Sequence, residues 1–185
     1  ADDETGTTGT DIDGELTEPG TELALGETAV INHASLADPT DSYYRYLKVA
    51  ATVDEVVPAD QSLLDNVQLS TPLEDEVVHM VWVDLEILET DGEHEREDFY
   101  PTFGAQHADG STAYTVWFDG RAIGECASED YPSLEPGSTA RTCFIALAEP
   151  GKELGAILWG GDDNADGEGD WENNPYYEDP VIWTL

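Results

Sequence analysis

Hydrophobic residues recur at every second position through most of this chain. Between 43 and 53, Leu47, Val49, Ala51 and Val53 share one face with Arg45 at its start, while Tyr44, Tyr46, Lys48 and Thr52 share the other. That alternation is the pattern of a half-buried β-strand. Between 76 and 88, Val77, Val81, Val83, Leu85 and Ile87 line one side and Asp84 and Glu86 the other, with Trp82 partly covering the polar side. This is the longest alternating run and reads as a central strand. Shorter runs at 22–32, 98–103, 113–118, 139–148, 154–159 and 181–185 are each bounded by Gly, Pro or Asp turn signals. No stretch sustains a helical period, although 59–69 has room for a short helical turn. Strands in series joined by irregular loops predict an all-β antiparallel sandwich of about 7–9 strands.

Composition supports one folded domain and narrows its partners. Hydrophobic residues make up 39% of the 185, enough for an ordinary core. Against 42 Asp and Glu stand 6 Lys and Arg, a formal net charge of −36. Nucleic acid and anionic membranes would repel such a chain, so neither is expected as a partner. No apolar run approaches the roughly 18 residues a membrane span requires, and the chain reads as soluble. Two accounts of the acid stand side by side. One is a salt-adapted archaeon or bacterium, since at about 1 M salt the Debye length falls to roughly 3 Å and self-repulsion is screened. The other is an exported protein of a high-GC actinobacterium.

Residues 1–20, rich in Thr, Gly, Asp and Glu, offer nothing to bury before Leu16 and read as a flexible acidic tether to a domain spanning 21–185, with an ordinary ragged N-terminus as the alternative. Tethers of this kind commonly follow a lipid-anchored cysteine, so the full precursor is a candidate lipoprotein. Cys126 and Cys143 enclose a segment with two Pro-containing turns, Tyr131-Pro132 and Pro136-Gly137, that bring its ends back together. Neither cysteine belongs to a CxxC element or has a metal-ligand neighbour, so a disulfide is expected rather than zinc, with two buried thiols as the alternative. A bridge implies an extracellular or cell-surface location.

Several short motifs share an order: LALGETAVI, the long strand EVVHMVWVDLEIL, Asp109-Gly110 before AYTVWF, the turn Leu134-Glu135-Pro136-Gly137, then CFIAL, Glu149-Pro150-Gly151 and LGAILW. Over residues 21–185 this resembles a family of immunoglobulin-like extracellular domains of unknown function in bacterial and archaeal lipoproteins, similar to the mycobacterial secreted immunoprotective antigen. The chain departs from that pattern in the acidic run ETDGEHERED and the long segment 160–179. The resemblance implies an immunoglobulin-like antiparallel sandwich that is exported, surface-held and non-catalytic, and it supplies no catalytic residues.

Chemistry-bearing residues are scattered. His33, His79, His94 and His107 form no HExxH or H-x-H pair, and no G-x-S-x-G elbow presents a serine. His79 reads as a strand side chain at a sheet edge or in a satisfied hydrogen bond, and His94 as a solvated loop residue. The loop GGDDNADGEGD lacks the Lys and helix of a phosphate site. Asp162-x-Asn164-x-Asp166-Gly167 reproduces the first half of a calcium loop, with Asn173 where a bidentate Glu belongs and Asp170 or Glu172 as substitutes. Calcium at Asp162, Asn164, Asp166 and Asp170 is one reading of that loop; a solvated acidic loop is the other. Tyr43, Tyr44, Tyr46, Trp171, Tyr176 and Tyr177 form a candidate aromatic surface for a protein or glycan partner, set against ordinary core and loop packing. The function expected is therefore a non-catalytic binding or structural module at the cell surface. The alternative is an acidic extracellular hydrolase or its carbohydrate-binding accessory domain.

Overall fold

The computed structural model describes residues 14–34, 40, 44–69, 75–92, 101–117, 122–161 and 174–185. In chain order the strands are β1 (Glu22–Ala24), β2 (Thr28–Ala34), β3 (Arg45–Ala59), β4 (Val77–Gly92), β5 (Gly104–His107), β6 (Thr112–Val116), β7 (Thr139–Ala148), β8 (Leu154–Trp159) and β9 (Val181–Thr184). A 3-10 turn, Gln61–Leu64, follows β3, and the short helix α1 (Pro175–Glu178) precedes β9. Asp60 caps the 3-10 turn by accepting from the Ser62 amide at 2.9 Å. No helix among the described residues is long and apolar enough to cross a membrane.

The expected two-sheet sandwich is not what forms. All nine strands belong to one mixed sheet in the order β1-β9-β8-β5-β6-β7-β4-β3-β2, parallel only at β1–β9. The reason lies in β6, which pairs with β5 at its start (Ala105↔Ala113) and with β7 at its end (Tyr114↔Leu147), so the two halves share one ladder. The Asp109-Gly110 turn makes this possible: Gly110 sits at φ 85, in the left-handed region, and folds β5 directly onto β6. The sheet then curls until its ends almost meet. On the β2 edge, Thr17 donates its amide to Val30 O and accepts from Val30 N, both at 2.9 Å. Four residues on, Thr21 O accepts from Ile182 N of β9 at 2.9 Å, and the Trp183 indole donates to Glu27 O at 2.9 Å. The result is a sheet nearly closed into a barrel, and the immunoglobulin-like architecture implied by the resemblance is corrected with it.

The run expected as one strand at 22–32 is broken at Gly26 (φ 83), where the chain turns the corner from β1 to β2. Residues 14–20, read as tether, are held against the sheet by the Thr17 bonds and by Lys48 Nζ donating to Gly14 O at 3.2 Å. Inside the curl, Ile31, Leu47, Val49, Val83 and Ile87 pack with an aromatic group in which Trp117 stacks on Phe144 at 4.5 Å and Phe103 meets Trp183 edge-on at 6.0 Å. A second cluster covers the outer face of β4, β6 and β7, where Val78, Ile145 and Leu147 meet Leu64, Ile123 and the Cys126–Cys143 disulfide. With both faces covered, β7 is buried almost continuously, which accounts for its unbroken apolar run CFIALA.

Candidate functional site

Of the residues singled out from sequence, Cys126 and Cys143 are bridged. Tyr43, Trp171, Asp162, Asn164, Asp166 and Asp170, together with His94, lie outside the described residues. The remaining tyrosines differ in exposure. Tyr176 is 6% exposed, packs on Trp159 at 4.5 Å and donates its hydroxyl to Thr17 O at 2.8 Å, so it belongs to the core. Tyr44 and Tyr46 are partly buried, and burial raises both phenols above their ordinary range. Tyr177, at 63% exposed, stands out in solvent. Among the described residues, no group of three or more His, Cys, Asp or Glu is placed to hold a metal ion.

The β5–β6 hairpin gathers a serine, a histidine and an aspartate. His107 is buried, and its Nε2 accepts from the Glu149 amide at 3.1 Å. A backbone amide only donates, so in the neutral ring the proton sits on Nδ1, which faces Ser111 Oγ at 3.0 Å. Ser111 Oγ in turn donates to Asp109 Oδ1 at 2.5 Å and accepts from Lys152 Nζ at 2.9 Å. The members of a nucleophilic triad are present with their protons reversed: the aspartate holds the serine, and the imidazole lone pair points at the backbone. Ser111 donates to Asp109 rather than to His107, so the imidazole is not placed to take its proton, and the network ties the hairpin to the β7–β8 turn. Hydrogen bonds from Ser111 lower the Asp109 carboxyl, and the bond to Lys152 lowers that of Glu149.

Arg141 on β7 anchors a second network, on the outer face. Its guanidinium reaches Asp84 Oδ1 at 3.1 Å, Asp54 Oδ2 at 2.8 Å and Glu55 Oε2 at 3.4 Å, and lies 5.2 Å from the Trp82 ring centre. Successive strand residues ordinarily point to opposite faces; the bulge between Val53 and Glu55 in β3 is what lets Asp54 and Glu55 reach one guanidinium. Burial pulls the Arg141 pKa down, but the Asp54 hydrogen bond and the three carboxylates outweigh it, and the net shift is upward.

A groove of about 460 Å³ opens at one end of the curled sheet. One wall comes from the ends of β3 and β4, which supply Val56, Pro58, Val77 and His79. The other comes from the corner after β1, the start of β8 and the residue after β9, with Leu25, Leu154 and Leu185. The two walls come from separate stretches of the strand order, β4-β3 and β1-β9-β8, and the curling of the sheet brings them together. Leu25, Val77 and Leu185 are 38%, 44% and 41% exposed, three of the five large hydrophobic residues exposed among those described. His79 stands on the inner face of an interior strand rather than at a sheet edge, with Nδ1 3.2 Å from Val77 O, and burial lowers its pKa. Lys152 and Glu153 complete the lining. The sequence signal for this groove was slight: apolar residues at strand ends, where turn signals draw attention elsewhere.

Fold and site together define a mostly-β protein with one nearly closed sheet and an apolar groove at its mouth. The chain matches no protein-family model, no curated protein and no solved structure.

Proposed function

We propose that this protein is an exported, non-catalytic binding module that takes its partner in the groove at the end of the sheet. The observation that carries the reading is the convergence there of Leu25, Val77 and Leu185, apolar side chains left exposed on a chain of net charge −36. The proton arrangement at Ser111 and His107 supports a structural rather than a catalytic role for that cluster. The disulfide supports export, because such bridges persist in oxidising compartments.

The test is an unbiased peptide-display selection on the folded protein, counter-screened with a Leu25→Ser/Val77→Thr variant. Binders lost on the variant support the reading. A selection without groove-dependent binders, or turnover of ester, peptide or glycoside substrates, overturns it.

A further inference from the structure

The groove combines an apolar lining with a one-signed surround. Lys152 is the one cation in its lining, and it is already engaged: its Nζ lies 2.8 Å from Glu149 and 3.6 Å from Asp109. Glu153 is part of the lining, and along the chain Glu76 adjoins Val77 and Glu27 stands two residues beyond Leu25. A ligand settling on Leu25, Val77 and Leu185 therefore meets Glu153 within the groove and, around it, the acid of a chain of net charge −36.

That charge arrangement selects the occupant. We infer that the groove receives an apolar peptide segment flanked by lysine or arginine, an inference that rests on the binding-module reading above. An anionic amphiphile would set its head group against the acidic surround, and a second copy of the chain would bring another −36 to the contact. A cationic flank gains from the same field. At physiological ionic strength the Debye length is about 8 Å, so the favourable charges are those within a few residues of the apolar centre. The groove volume, about 460 Å³, lies in the range of sites that hold a compact ligand, roughly 300–1,000 Å³. It accommodates a few side chains from one face of an extended segment and leaves the flanks outside. Buried apolar area supplies affinity, and the flanking charges supply preference and encounter rate.

The experiment uses end-blocked peptides with a common Val-Leu-Val-Leu centre and Lys, Ser or Glu flanks, plus a Lys-flanked peptide with a Ser centre. Binding is followed by the backbone amide shifts of Leu25, Val77 and Leu154 and by the His79 imidazole resonance. In about 0.1 M KCl the Lys-flanked apolar peptide is expected to bind about tenfold or more tighter than the Glu-flanked one, with the gap closing at about 2 M. Val77→Thr and Leu25→Ser, at exposed positions and with an unchanged Tm as the control for folding, should each weaken that peptide severalfold. Equal affinity for all flanks overturns the cationic preference while leaving the groove as a binding site. If no apolar-centred peptide binds, the binding-module reading falls as well. A Ser-centred Lys peptide that binds as tightly shows charge adsorption alone and overturns the inference.

Discussion

Replacing Arg141 by Gln should cost this protein more than removal of an ordinary surface cation, and the cost should depend on salt. The substitution keeps a hydrogen-bonding side chain but leaves Asp54, Glu55 and Asp84 facing one another with no cation between them. The carboxylates are 41%, 56% and 47% exposed and the Arg141 side chain 31%, so solvent screens each pair heavily. Exposed pairs contribute about 0.2–1 kcal/mol each, and a partly exposed cation over an aromatic ring about 0.5–1 kcal/mol. Three coupled pairs, the Trp82 contact and the repulsion left behind bring the expected loss to about 2–3 kcal/mol. For a chain of this length that is a fall in Tm of about 5–10 °C. Differential scanning calorimetry at about 0.1 M and about 2 M KCl reads it directly, and the loss should at least halve at high salt, where the Debye length is under about 3 Å. Arg141→Lys, which keeps the charge without the fork, should fall between the two, and Asp54→Asn should partly rescue Arg141→Gln by relieving repulsion. A Tm change below about 1 °C in low salt, or an equal change at both salts, would refute the clamp.

Other expectations follow from the same coordinates. Changing Cys126 and Cys143 together to Ser should cost about 3 kcal/mol by the chain-entropy estimate for a loop of this length, read as a drop in Tm that reductant reproduces in the parent protein. The parent should itself melt many degrees higher in about 2 M than in about 0.1 M KCl; equal midpoints would show that its acid is already compensated. Burial lowers the folded-state pKa of His79 below the ordinary imidazole value of about 6.5, so the neutral ring favours the folded state. That contribution is complete above pH 6.5 and is lost as the pH falls through the depressed folded value; His79→Gln should flatten that part of the stability–pH curve in urea titrations. His107→Phe, which fills the buried site but strands the Glu149 amide and frees Ser111, should loosen the β5–β6 hairpin, seen as faster amide exchange at Ala108 and Gly110.

Where apolar runs lie between hard turn signals, the elements were readable in advance: the runs expected at 139–148 and 154–159 are the strands Thr139–Ala148 and Leu154–Trp159. One strand and the far end of another were hidden for physical reasons. β5, GAQH, buries an alanine and a histidine, so it carries no hydropathy signal, and the strand expected at 98–103 misses it by its whole length. β3 continues past 53 to Ala59 through the charged pair Asp54-Glu55 and Pro58, which read as a strand end because the bulge that turns both acids outward is not visible as a period. Architecture was less accessible still. A sandwich and a curled single sheet place the same alternate residues inward, and what separates them here is the split pairing of the five-residue strand β6. The disulfide could be inferred from two turns between two cysteines. The groove could not, because Leu25, Val77 and Leu185 meet only through closure of the sheet.

Scarcity explains how so acidic a chain keeps its shape and why the groove stands apart. Lys48 ties β3 to Glu89 of β4 at 2.6 Å and to Gly14 of the entering segment. Arg141 joins β7 to β4 and β3, and Lys152 joins the β7–β8 turn to the β5–β6 hairpin. Each of these cations sits at a joint between elements rather than pairing within one strand, so the few positive charges act as cross-links. Carboxylates that stay hydrated gain little from any partner that must strip their water. A binding surface on such a protein therefore has to be apolar to gain from desolvation, and the acid around it then acts at a distance, as a filter on the charge of what arrives.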